Sequence, residues 1–153
     1  LRTKKEFIEE DEFDQGVRLL LNFGHTFGHA IEGASHFQIS HGVAVGLGML
    51  AAIHLSLDIG LMVERSTRVT LLARHVKWLL HQVPDLDKAL SSFSAMDALS
   101  RFKSDKKHKN DQYVAILIDQ DGYLLQHFVP IGDDSDSRII RAFDSIKKEI
   151  YEI

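Results

Sequence analysis

Apolar residues along this chain recur mostly at helical spacing, broken by a short stretch of alternation near the C-terminus. From Arg18 to Glu32 (RLLLNFGHTFGHAIE) the apolar positions Leu19, Leu20, Leu21, Phe23, Phe27, Ala30 and Ile31 cover most faces of a helix. Arg18, Asn22, His25, His29 and Glu32 then follow steps of four, three, four and three residues, which is one polar face of one helix. A packed helix carries such a stripe only at a cost unless the stripe looks into something other than core. Gly24 and Gly28 stand beside the two histidines, each costing about 1 kcal/mol against Ala in a helix, and they point to the close approach of another backbone or a ligand. After the loop GASHFQIS, His41 opens a second helix that ends near Gly60. It is apolar all round, as expected at the centre of a bundle, with Gly42, Gly46 and Gly48 letting neighbours approach.

Glu64 to Val83 reads as an amphipathic helix through Val69, Leu72, Val76, Leu79 and Leu80, with Trp78 partly buried and Pro84 as the stop. Asp85 to Phe102 reads as one or two shorter helices, the second capped by Ser94 with Asp97 three residues on. Lys103 to Gln112 is a polar loop. Tyr113 to Ile118 and Tyr123 to Val129 are β-rich runs separated by DQDG at Asp119 to Gly122, a hairpin signal. Asp134 to Ile153 opens with Asp and Ser as capping residues and carries Ile139, Ile140, Phe143, Ile146 and Ile150 on one stripe. Upstream, Lys4 to Asp14 is a charged run that reads as a short exposed helix leading through Gly16 into the histidine-bearing segment. The predicted fold is mainly α: a helical bundle with one small β-hairpin, forming a single domain over residues 1–153.

Composition narrows the function classes. The 153 residues, 44% hydrophobic and 26% charged, suit one globular domain. A formal net charge of -4 and a pI near 6.1 leave no electrostatic footprint for nucleic acid or for an anionic membrane. With no cysteine, a metal site must be built from His, Asp or Glu, and the expected compartment is the cytoplasm. No signal-like segment opens the chain, and no run reaches the roughly 18 consecutive apolar residues of a membrane span. Leu1 is not an initiator methionine, so the chain reads as a piece of a longer protein. No GxGxxG dinucleotide fingerprint occurs.

His25 and His29 form an HxxxH pair, two imidazoles one turn apart on one helix face, a spacing with which helices chelate divalent ions. Thr26, Phe27 and Gly28 lie between them, so the general-base Glu of an HExxH metalloprotease is missing and peptide hydrolysis is disfavoured. His41 at the mouth of the glycine-rich helix, with Arg18, Asn22 and Glu32 on the same stripe, makes a constellation that points to a functional site. His36, His54, His75, His81, His108 and His127 lack such company and read as surface or capped core imidazoles. Asp105, Lys106 and Lys107 form a charge cluster in a polar loop, either solvated or in contact with a phosphate.

The segment Arg18 to Glu32, the HG at His41 and Gly42, and AVGLGM from Ala44 to Met49 together resemble the signature of the 3-dehydroquinate synthase and sugar-phosphate cyclase superfamily. The resemblance continues upstream through Lys4, Asp11, Glu12, Gly16 and Arg18, and downstream through DKK at Asp105 to Lys107 and the hairpin. It implies a two-domain enzyme in which an N-terminal α/β domain binds NAD and a C-terminal helical domain supplies the metal and most substrate groups. This chain looks like the second domain alone, without the NAD-binding domain.

By motif position the resemblance assigns His25 and His41 to the two metal-ligand histidines, for zinc or cobalt, and His29 to a place near the substrate phosphate. Lys4, Arg18 and Asn22 match substrate-contacting positions. One lysine of the DKK loop, Lys106 in preference to Lys107, matches a phosphate-binding lysine. The family's third zinc ligand, a Glu further upstream, is expected to be missing here. One position departs from the pattern: where the family usually reads HGE, this chain has His41, Gly42 and Val43, which removes a carboxylate beside a metal ligand.

The implied reaction converts 3-deoxy-arabino-heptulosonate 7-phosphate into 3-dehydroquinate and phosphate, in the shikimate pathway, with NAD consumed and regenerated. The expected partners are that small sugar-acid phosphate, the missing NAD domain and a second copy in a homodimer. The chain alone is expected to be inactive and to bind zinc weakly. Two alternatives stay open: a related cyclase acting on a sugar phosphate that lacks the carboxylate, which Val43 favours, and a non-catalytic helical metal-binding or interaction module. In either enzymatic reading His41 should come opposite His25, and the polar stripe should be open rather than buried in the bundle.

Overall fold

The computed structural model describes residues 22–106 and 108–152. Among them six helices and one hairpin follow in the order α1 (His25–Ala34), α2 (His41–Asp58), α3 (Thr67–His81), α4 (Leu86–Ser91), α5 (Ala95–Lys103), β1 (Gln112–Ile118), β2 (Leu124–Pro130) and α6 (Asp133–Ile150). This is the mainly α bundle with one small hairpin that the apolar pattern predicts.

The centre is α2, whose Ala44, Leu47, Leu50, Ala51, Ala52, Ile53 and Leu55 are all buried. By length and composition α2 could cross a membrane, at 18 residues and a mean hydropathy of 1.3, a feature that counting consecutive apolar residues does not flag. Half of it is buried within the fold, as befits a core helix. Ser40 caps its start, accepting from the Val43 N–H at 3.4 Å. Around α2 pack α1 and α6, and the rings of Phe27 (α1), Phe102 (α5) and Phe143 (α6) meet with centroids 5.1 and 5.5 Å apart.

The helix expected to run unbroken from Arg18 to Glu32 is interrupted. Gly24 stands in the left-handed region at φ 82°, and α1 begins only at His25. The turn there lets α1 lie against α2 at backbone contact. A Cβ built on Gly48 would stand 2.1 Å from the Gly24 carbonyl oxygen and 2.7 Å from the Gly28 nitrogen, and one on Gly28 would stand 3.0 Å from the Ala44 carbonyl oxygen. The visitor for which these glycines make room is therefore the neighbouring helix.

Local signals set most other boundaries. Ser66 caps α3, accepting from Val69 N–H at 3.2 Å, so α3 starts at Thr67 and not at Glu64. The preceding residues are held elsewhere: the Gln120 side chain accepts from Val63 N–H at 2.7 Å and donates to the Glu64 carbonyl at 3.0 Å. Trp78, expected to be partly buried, is 59% exposed on the outer face of α3. Ser94 caps α5 as predicted, accepting from Asp97 N–H at 3.1 Å. The hairpin is antiparallel with Ile118 paired to Leu124, and Tyr123 belongs to its turn, where the Asp119 carboxylate accepts from the Asp121 and Tyr123 N–H groups. Ser56 ties the hairpin to α2, accepting from Ile118 N–H at 3.1 Å. At α6 no side chain caps the N-terminus; Gly132 is the cap residue, and Asp133, Asp134 and Asp136 act through the helix dipole instead.

Candidate metal centre

The first turns of α1 and the start of α2 meet at one end of the bundle. Because residues one and two turns apart share a helix face, His25, His29 and Glu32 project from α1 on the same side. The six-residue connection Ser35 to Ser40 folds back, with His36 and Phe37 at positive φ, and delivers His41 at the first position of α2. Ser35 holds this connection by donating from Oγ to the Glu32 carbonyl at 2.9 Å and accepting from Ile39 N–H at 3.3 Å.

The rings of His25, His29 and His41 converge: centroids are 5.4 Å apart for His25 and His41, 5.8 Å for His25 and His29, and 5.8 Å for His29 and His41. Imidazoles bound through nitrogen at about 2.0–2.1 Å to one tetrahedral ion would have centroids roughly 5 Å apart, and the three rings stand near that spacing, although the ligand atoms that converge are those of His29, Glu32 and His41, with His25 alongside them. Ligand-capable atoms of His29, Glu32 and His41 all lie within 4.8 Å of one another. Imidazole and carboxylate together suit zinc or cobalt. The cluster is open to solvent, with His29 and His41 exposed and His25 and Glu32 partly buried.

Within it, His41 Nδ1 lies 2.6 Å from Glu32 Oε1. An ionised carboxylate only accepts, so in the neutral imidazole Nδ1 carries the proton and Nε2 keeps the lone pair. Two atoms bound to one tetrahedral ion would be about 3.3 Å apart, so the shorter separation is a hydrogen bond between the groups.

The structure thus brings together four of the residues singled out in the sequence. Asn22 is exposed and precedes the turn at Gly24, so it does not continue the face of α1. Lys4, Arg18 and Lys107 lie outside the described residues. Lys106 is exposed in the turn that follows α5. Next to it His108 is part of the framework: Nε2–H donates to the Phe102 carbonyl at 2.7 Å and Nδ1 accepts from Val114 N–H at 2.9 Å.

Sequence reasoning missed a second charged cluster. Glu149 of α6 is 2% exposed and is met by Arg65, by His54 Nε2 at 2.6 Å and by Lys77 Nζ at 3.5 Å. Burial alone would push its carboxyl up, but hydrogen bonds from Arg65 and His54 hold it well below the usual carboxylate range. The signal was present in the pattern, since Glu149 falls on the buried stripe of Ile139, Ala142, Phe143, Ile146 and Ile150.

Comparison with known proteins gives the family and the fold. Residues 1–108 match the family described as 3-dehydroquinate synthase C-terminal, and the chain belongs to that family. Among curated relatives, a 3-dehydroquinate synthase of Streptococcus pyogenes serotype M49 (strain NZ131) is 32% identical over 148 residues, covering 95% of this chain and 39% of the relative. One from Saccharolobus solfataricus is 33% identical over 109 residues, covering 71% of this chain and 30% of its own length. The chain therefore spans about two fifths or less of these relatives. Its fold is shared by 2-deoxy-scyllo-inosose synthase, solved in complex with carbaglucose-6-phosphate, NAD+ and Co2+, with a TM-score of 0.58 and 23% identity over 88% of this chain and 36% of that one.

Proposed function

We propose that this chain is the helical, metal- and substrate-binding domain of a 3-dehydroquinate synthase, which with an NAD-binding domain converts 3-deoxy-arabino-heptulosonate 7-phosphate into 3-dehydroquinate and phosphate. The observation that carries this reading is the convergence of His25, His29 and His41 at the exposed meeting of α1 and α2. His25 and His41 would hold a divalent ion, zinc or cobalt, which when bound polarises adjacent substrate oxygens. His29, exposed beside them, faces the solvent side from which a phosphate ester would come. Lys106 offers a point charge for that phosphate, while Arg18 and Lys4 suit the substrate carboxylate.

Val43 favours a second reading, a cyclase whose substrate lacks the carboxylate. It is partly buried and apolar where the family pattern usually has Glu. The protein extended by its upstream coding sequence, supplied with NAD+ and Co2+, separates the two when assayed on substrates that differ only in the carboxylate. Phosphate release from the heptulosonate phosphate, lost in both His25→Ala and His41→Ala, is the expected result. Release from the non-carboxylated substrate alone selects the second reading, and activity that survives both replacements overturns the metal assignment. The 153-residue chain by itself is expected to release no phosphate under the same conditions.

A further inference from the structure

From the contact at the start of α2 we infer that Glu32 is the positioning residue of the metal centre: it locks His41 as the Nδ1–H tautomer, so that Nε2 is the nitrogen presented to the ion. This rests on the metal-centre reading above and adds to it a residue that acts through its neighbour. His41 opens a helix, its side chain is 56% exposed, and packing does little to choose its rotamer or tautomer. Glu32 is the better-anchored partner. Its side chain is only 15% exposed, and it projects from the last turn of α1, whose end is fastened where Ser35 Oγ and Phe37 N–H donate to the Glu32 carbonyl.

The bond spans nine residues, closing the connection between α1 and α2 at the point where the ligand must be aimed. The other polar side chain at this helix start is engaged, since Ser40 Oγ takes the Val43 N–H. Val43 offers no carboxylate of its own. A ligating histidine whose second nitrogen donates to a carboxylate is both oriented and made more basic, and loss of such a partner typically lowers metal affinity 10–100-fold.

The test has two readouts on the 153-residue chain. Histidine nitrogen NMR of the metal-free protein, taken above the range where imidazole titrates, should show His41 as Nδ1–H in wild type and in Glu32→Gln, whose amide oxygen still accepts. In Glu32→Ala it should shift toward Nε2–H. Calorimetry with Co2+ should show affinity lowered 10–100-fold in Glu32→Ala and by less than tenfold in Glu32→Gln. An unchanged His41 tautomer in Glu32→Ala, or Co2+ affinity equal to wild type, overturns the inference. Glu32→Gln as weak as Glu32→Ala also overturns it, because the carboxylate is then itself a ligand. If His25→Ala and His41→Ala bind Co2+ as well as wild type, or wild type binds none, the metal-centre reading falls and this inference falls with it. Wild-type binding that His41→Ala abolishes, with Glu32→Ala unaffected, removes the positioning role alone.

Discussion

Replacing Gly48 by Ala tests whether the site is held by backbone contact between α1 and α2. The added methyl would stand 2.1 Å from the Gly24 oxygen and 2.7 Å from the Gly28 nitrogen, the two atoms that form the first hydrogen bond of α1, itself 2.7 Å long. Relieving that overlap to ordinary contact requires α1 to retreat by about 1 Å, because both opposing atoms are backbone and cannot rotate away. Overpacking of this kind costs about 3 kcal/mol, offset by about 1 kcal/mol from the better helix propensity of Ala. The expected net loss is about 2 kcal/mol, or a fall in Tm of roughly 4–8 °C for a chain of this size. Gly42→Ala is the internal control: a methyl there meets nothing within 4 Å, so stability should stay level or rise slightly. Urea unfolding of both variants reads the stabilities. Co2+ calorimetry on Gly48→Ala reads the site, since His25 is the first residue of α1 and moves with it. Gly48→Ala within about 0.5 kcal/mol of wild type, with Co2+ affinity unchanged, would refute the reasoning.

The buried cluster around Glu149 should be costly to break: Glu149→Gln leaves Arg65, His54 and Lys77 facing a neutral group and is expected to cost about 3–5 kcal/mol in urea unfolding. Because the folded protein holds this carboxyl below its ordinary value of 4.5, its contribution is present above that pH and is lost as the pH falls below it. Acid titration of stability should therefore drop less steeply in Glu149→Gln. Tyr113, buried in β1, donates its hydroxyl to Asp136 Oδ1 at 2.6 Å, and burial together with that carboxylate raises its pKa above the ordinary 10.0. Tyr113→Phe should cost about 1–2 kcal/mol near neutral pH. The wild-type protein should also lose stability as the pH rises above 10.0, a loss that Tyr113→Phe does not share, and chemical unfolding across alkaline pH checks both.

Local chemistry was legible in the residues themselves. The hairpin at Asp119 to Gly122, the Ser94 cap of α5, the apolar α2 and the grouping of His25, His29 and Glu32 on one face all depend on neighbours a few positions apart. The continuous match of the histidine segment to its family was legible for the same reason. What the pattern could not decide are relations between distant parts of the chain. An apolar periodicity continues straight through Gly24, and only the packing of α1 on Gly48 shows why the chain turns there. Glycine spacing alone left open whether a ligand or a backbone fills the space, and the answer needed both helices in place. Glu149 meets Arg65 across 84 positions and His41 meets Glu32 across nine, and neither pairing has a signature in either local sequence. Periodicity tells which face of an element is buried, but which charges share that burial depends on how the elements cross, and crossing is set by side-chain and backbone shape complementarity through the whole core.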